Sequence, residues 1–158
     1  MQQDWIFHTE SGSCSLRVAG VLLRNGKLLV QRDADGSEFA LPGGHVQVGE
    51  TLEDALRREY REEMGVDVRC LRMLWSEECF WTWQSRRHHN LCFYYLIELA
   101  DPAALPDLSE FLPHRDNSRV VVGWLPIDEL PGVTIYPDFL PRELARPETG
   151  TKHFVTHA

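Results

Sequence analysis

LPGGHVQVGETLEDALRREYREEMGV, residues 41–66, is the stretch that decides the fold. An apolar start runs into the Gly43-Gly44 turn, Thr51 suits an N-cap with Asp54 at the capping-box position, and Gly65 suits a left-handed stop. The spacing predicts a helix over residues 51–64. With Glu59 set to zero and a turn of about 100° per residue, Leu52, Ala55 and Leu56 fall at about +20°, −40° and +60° and define an inward stripe. Glu62 and Glu63 fall at about −60° and +40° on the same scale, so the acids of the second half continue the apolar stripe of the first, while Asp54, Arg57 and Arg61 point away.

A run such as RREYREE ordinarily forms a solvated face laced with i,i+4 ion pairs. The helical phase argues against that here. Three carboxylates on an inward stripe repel one another and resist desolvation unless something cationic sits among them. Hard oxygen donors at this density suit Mg²⁺ or Mn²⁺, which keep several waters and bind through a few carboxylates plus substrate phosphates.

The pattern Gly44, Glu50, Arg58-Glu59, Glu62-Glu63 and Gly65-Val66 resembles the signature of the Nudix hydrolases. Seven fixed residue types at these spacings coincide by chance less than about once in 10⁸ starting positions. Tyr60 is the one departure, standing where that family usually has an aliphatic residue; at about +100° it falls on the edge of the inward stripe. The resemblance implies an α/β fold, an α/β/α sandwich with a mixed β-sheet between helices. It also implies a divalent-metal-dependent hydrolase of diphosphate linkages, a pyrophosphohydrolase acting on acid anhydrides, usually in nucleoside diphosphate derivatives. Mg²⁺ is the implied cofactor, with Mn²⁺ as an alternative. Carried over residue by residue, the metal ligands are Glu59, Glu62, Glu63 and the carbonyl of Gly43, with Glu59 as ligand or base. Arg58 flanks the acids and orients Glu59, and Glu50 braces the loop.

At 158 residues and 43% hydrophobic content, the chain has the size of one domain, expected over 1–158. A net charge of −8 argues against nonspecific binding of nucleic acid or anionic membranes. Cys14, Cys70, Cys79 and Cys92 form no CxxC pair and no zinc spacing, and read as reduced small hydrophobes. No run approaches the ~18 apolar residues of a membrane span and no leader pattern opens the chain. A cytoplasmic protein is expected, acting on a small-molecule substrate; a homodimer is compatible with this reading.

Along the chain, residues 16–23 and 27–32 should pair as an antiparallel hairpin around Asn25-Gly26. A short strand precedes the glycine turn. A long strand to about Phe80, with a bulge near residues 70–71 that moves the inward set to Leu71, Met73 and Trp75, should pair with residues 91–99, a buried central strand. Residues 101–118 read as a long loop, 120–124 as a strand and 126–130 as a helical turn; a second helix lies within 137–146, and the tail is undetermined.

Outside the helix, a further carboxylate is expected to enter the site, with Glu110 the first choice, Glu98 the second, and Asp107 or Asp116 next. The polar turn carrying Trp81, Trp83, Arg86 and Arg87 holds candidate substrate residues, because exposed Trp contributes little packing and the arginines offer phosphate partners. The competing reading packs those Trp residues across a sheet edge or a dimer interface. Two other functions belong to the same fold: a catalytically silent nucleotide-binding or sensing protein, which would be expected to lack one or more of the acids, and an isoprenyl diphosphate isomerase, whose own Cys and Glu find no match here.

Overall fold

The computed structural model describes residues 2–107, 109–147 and 149–158. Thr51 caps helix α1 (Leu52–Met64), accepting the Asp54 amide at 3.1 Å and donating to the Asp54 carboxylate at 2.9 Å. Gly65 ends the helix at φ 70, with its N–H donating to the Arg61 carbonyl. The expected helix is present at its expected ends.

The sheet is built on β2 (Gly12–Arg24) and β7 (Arg86–Leu99), which run parallel from the Gly12↔Arg87 pair to the Leu22↔Ile97 pair. Strand β6 (Val68–Trp83) pairs antiparallel with β7 through a two-residue turn at Gln84 and Ser85, both at positive φ. The polar turn is thus tighter than the sequence suggests, and Trp81, Trp83, Arg86 and Arg87 all stand on strands. Strand β11 (Lys152–His157) closes the β6 edge in parallel. On the other side, β3 (Lys27–Asp33) meets β2 at only two residue pairs past the Asn25-Gly26 turn, then takes β9 (Val120–Pro126) as its main partner. The expected hairpin therefore splays at once, because Gly43–His45 takes the same edge of β2 at Arg17–Ala19 while β3 pairs along its whole length with β9.

Strand alternation divides the core in two. Val18, Leu22, Tyr95 and Ile97 face α1 and bury Ala55, Leu56 and Tyr60. Val21, Trp75 and Tyr94 face the opposite side, against Phe139, Leu140 of α2 (Leu140–Ala145) and Leu130 of a 3₁₀ turn at Ile127–Gly132. Helices on both faces of a mixed sheet give the expected α/β/α arrangement. In β6 the expected bulge lies between Cys70 and Arg72, but a second register shift between Met73 and Trp75 cancels its phase. Leu71 is left exposed, and Trp75, Glu77 and Cys79 return to the face away from α1.

Three short strands complete what positions the site. Strand β1 (Ile6–His8) pairs with the start of β2, β4 (Glu38–Ala40) lies between β3 and β10 (Thr134–Tyr136), and β5 (Gly43–His45) runs antiparallel to Arg17–Ala19 of β2. Within the long loop, β8 (Leu112–Pro113) pairs with β9. The face of α1 that is buried is centred beyond the stripe expected from Glu59, so Tyr60 is fully enclosed and not at its edge. Its hydroxyl finds no hydrogen-bond partner among the described residues. Removing such a group relieves a desolvation cost of about 1 kcal/mol or more. Tyr60→Phe is therefore expected to raise stability in urea unfolding by about 1 kcal/mol; a loss of stability would show that the hydroxyl is satisfied in solution.

Candidate active site

The α1 acids meet the glycine turn at one guanidinium. Arg58 donates from Nε and Nη2 to the two oxygens of Glu50 at 2.8 and 3.0 Å, from Nη1 to Glu59 at 2.8 Å and Glu62 at 3.3 Å, and from Nη2 to the His45 carbonyl at 3.0 Å. Glu50 also accepts the Gln47 amide. Burial alone would raise the Glu50 pKa, but the Arg58 and Gln47 bonds outweigh it and hold the carboxyl below its ordinary value. The Glu50 hydrogen bond, the largest influence, pushes Arg58 in the opposite direction, further upward.

Glu59 and Glu63 behave differently. Burial, with added repulsion from Glu62 and Asp116, leaves Glu59 raised even against Arg58. Glu63 is 5% exposed, and burial followed by the charges of Glu59 and Asp116 pushes it to about 9, with Arg17 opposing. Its Oε2 stands 3.3 Å from His114 Nε2 and yet accepts no hydrogen bond. Glu62, by contrast, is half exposed, so the three acids grade from water to interior along one edge of the helix.

The loop before β9 packs onto this end of α1. Arg115 donates its amide to the Glu63 carbonyl at 2.8 Å, and its guanidinium lies against Gly65 where any Cβ would overlap it. That anchor sets the buried His114 between Glu63 and Asp116, whose Oδ1 touches Nδ1. From the other side, Gly44 comes so close to α1 that a Cβ would overlap the Glu59 carboxylate, and Gly43 so close to β2 that a Cβ would overlap the Val18 carbonyl. Arg17 lies beside this turn with its Nη1 3.2 Å from His45 Nε2. Burial, then the Arg17 charge, lowers the His45 pKa against a weaker pull from Asp4, which keeps the imidazole neutral.

Of the residues singled out from sequence, Arg58, Glu59, Glu62 and Glu63 are brought together beside Gly43. Glu110 is not: it lines a separate cavity of about 220 Å³ with Leu29, Met64 and Arg115, and none of the α1 acids reaches that lining. Of the two acids ranked after Glu98, Asp107 pairs with Lys27, and the loop turns Asp116 toward the helix. Glu98 pairs with Arg69 at the strand end. Trp81 lines a cavity that adjoins the glycine turn, whereas Trp83, Arg86 and Arg87 lie outside it; Trp83 is 59% exposed, and Arg86 reaches the Thr9 carbonyl at 3.5 Å. Trp83 and Arg86 share the face of Trp81 and Glu77 but lie beyond the end of the cavity at the hairpin turn, whereas alternation sends Arg87 to the opposite face. His114 and Arg17 escape sequence reading. His114 had only a weak signal, a His-x-Asp in a loop of unusual length, and Arg17 looks like an ordinary polar residue of an alternating strand.

Residues 15–142 match the NUDIX domain, and the chain belongs to that family. It is 31% identical over 115 residues to the putative mutator protein MutT4 of Mycobacterium tuberculosis, a match covering 73% of this chain and 40% of that protein. To the NAD-capped RNA hydrolase NudC of Chromobacterium violaceum it is 35% identical over 117 residues, covering 72% and 38%. The chain thus spans about two fifths of the length of these curated relatives. An ADP-ribose pyrophosphatase from Streptococcus suis shares the fold, with a TM-score of 0.59 at 22% identity over 89% of this chain and 98% of that one.

Members of this family generally use divalent metals. The donor chemistry here fits one: carboxylates graded along a helix edge, a buried oxygen on Glu63 that accepts nothing, and a glycine turn whose bare backbone lies against Glu59. Among the described residues no three His, Cys, Asp or Glu side chains already converge on one point. Arg58 holds Glu59 and Glu62 toward itself, so a cation would have to draw them over. In the metal-free protein, the folded state keeps a proton on Glu63 that the unfolded chain surrenders above 4.5. The stability this supplies is full below that value and is lost as pH rises through about 9. The melting temperature in chelator should therefore fall across that window, and Glu63→Gln should flatten the fall; an unchanged slope in the variant would show that Glu63 ionises freely.

Proposed function

We propose that the chain hydrolyses phosphoanhydride linkages in nucleoside diphosphate derivatives, with Mg²⁺ as the working ion and Mn²⁺ as a substitute. One observation carries the reading: Glu63 is buried with an unsatisfied oxygen beside Glu59, on the helix edge that meets the glycine turn. Two neighbouring carboxylates kept largely from water are costly unless a cation joins them. The family's relatives act on nucleotide derivatives, which supports the substrate class.

Glu59, Glu62, Glu63 and the Gly43 carbonyl would hold the ion, which when bound neutralises phosphoryl charge and makes water a better nucleophile. The rest falls to groups of the protein itself. Arg58 keeps Glu59 and Glu62 oriented, and Glu50 in turn braces Arg58. Arg17, whose charge is felt at Glu63 and which lines the cavity beside the glycine turn, takes a substrate phosphate that the acidic surface would repel. Asp116, in contact with His114 and near Glu59 and Glu63, supplies the proton acceptor that the sequence alone suggests for Glu110.

A screen of nucleoside triphosphates, dinucleoside polyphosphates, nucleotide sugars and NADH with Mg²⁺ should find a substrate whose turnover stops in excess chelator. On that substrate, Glu59→Gln and Glu63→Gln should each lose on the order of 10²-fold or more in kcat, the size of several kcal/mol of charge stabilisation, while both variants stay folded. Full activity in chelator, or ordinary rates in both variants, would place the chemistry elsewhere.

A further inference from the structure

On the sheet face away from α1 lies a cavity of about 490 Å³, within the range of small-molecule sites. Its wall is one face of the β6–β7 hairpin. The register pairs Glu77 with Cys92 and Cys79 with Asn90, and period-two alternation sends all four side chains, with Trp81 and Tyr94, into the cavity. Gly43 and Gly44 line its mouth. Because Gly44 has no side chain, only backbone separates the cavity from the Glu59 carboxylate on the opposite side of β5. The cavity mouth is therefore placed to take the organic part of a molecule whose diphosphate meets the α1 acids.

Glu77 is the unusual member of that lining. It is 4% exposed, and phosphoanhydride hydrolysis gives it no task. The Tyr94 hydroxyl donates to one oxygen at 3.1 Å and the Thr156 hydroxyl to the other at 3.3 Å. Neither partner is a cation. A carboxylate offers about four acceptor positions, so about two remain for whatever fills the cavity. Burial pushes its pKa upward, against the two hydroxyls and with a small addition from Asp138. A buried acid with neutral partners destabilises a fold, and it would be relieved by a ligand that brings N–H donors. Trp81 supplies a flat wall held in place by stacking on His88 at 4.2 Å.

We infer that this cavity is a nucleobase site in which Glu77 accepts two adjacent N–H groups, the edge presented by a guanine-type base, while Trp81 covers the ring. The inference rests on the phosphoanhydride reading for the direction of the phosphates, but base selection can be measured without turnover. Adenine presents an N–H beside a ring acceptor, and hypoxanthine keeps the ring N–H but lacks the amino group. Both leave one carboxylate position of Glu77 unpaired. A site built for two donors rejects ligands that supply one.

The test is calorimetric binding of GMP, IMP and AMP, none of which contains a phosphoanhydride, with Mg²⁺ present. The wild-type protein should bind GMP at least about ten-fold more tightly than IMP or AMP, the size expected of one bidentate base contact. Glu77→Gln, which keeps the shape of the side chain, should bring the three affinities within about two-fold of one another while the protein stays folded, read by its melting transition. Glu78→Gln, one residue along β6 on the opposite face, should keep the preference and controls for a general effect on the strand. Equal binding of the three nucleotides by wild type, no binding of GMP, or a preference that survives in Glu77→Gln would each overturn the inference. Base-selective binding in a protein that hydrolyses nothing would instead sink the proposed activity and leave the nucleobase site standing.

Discussion

The carboxylates of Glu50, Glu59 and Glu62 converge on the one guanidinium of Arg58, and Glu63, next along the helix, is left with none. That imbalance shapes everything near it. Glu50 keeps its charge because its bonds to Arg58 outweigh burial, Glu59 is raised in spite of Arg58, and Glu63 meets the interior by taking up a proton. Under the proposed metal reading, a helix edge carrying more acid than base, in reach of solvent at Glu62 and closed at Glu63, would exchange that proton for a cation.

Local chain geometry makes such an edge tolerable. Thr51 and Gly65 hold both ends of α1, and Leu56 and Tyr60 sink its apolar arc into β2 and β7. The loop through His114 and Arg115 clamps the last turn, so the acids cannot relieve their repulsion by unwinding the helix. Gly43 and Gly44 then bring β5 against both α1 and β2 more closely than any side chain would permit. The thin strand that results lets chemistry on one face of the sheet communicate with a binding cavity on the other. No described helix is long and apolar enough to cross a membrane.

How much of this could be read from the sequence follows from the range of the interactions involved. Helix α1, its caps and the grouping of Glu59, Glu62 and Glu63 are written in residues three or four apart, where periodicity is informative. Tyr60 shows the limit even there, because the buried arc is set by the strands beneath and not by the helix alone. The Asn25-Gly26 turn was legible while the strand partners were not, since β2 chooses β7, some seventy residues away. Strand β11 carries no strong pattern of its own and gains its place by pairing with β6. Composition points to Trp81, Trp83, Arg86 and Arg87 alike, but the second bulge sets the face that Trp81 shares with Glu77, and position along the hairpin leaves Trp83 and Arg86 past the end of the cavity. His114 and Asp116 come from a loop whose course depends on one backbone hydrogen bond to Glu63, a contact invisible in any local pattern.

The central claim is that Glu63 is kept uncharged by its surroundings until a divalent cation takes the proton's place. Titration calorimetry of Mg²⁺ or Mn²⁺ at pH 7, repeated in two buffers of different ionisation enthalpy, counts the protons released on binding. The wild-type protein should release about one proton per ion bound, and Glu63→Gln close to none. Cation binding by the wild type with no proton release would contradict the account, for it would mean that Glu63 is already ionised and that the α1 acids carry their charge without waiting for the ion.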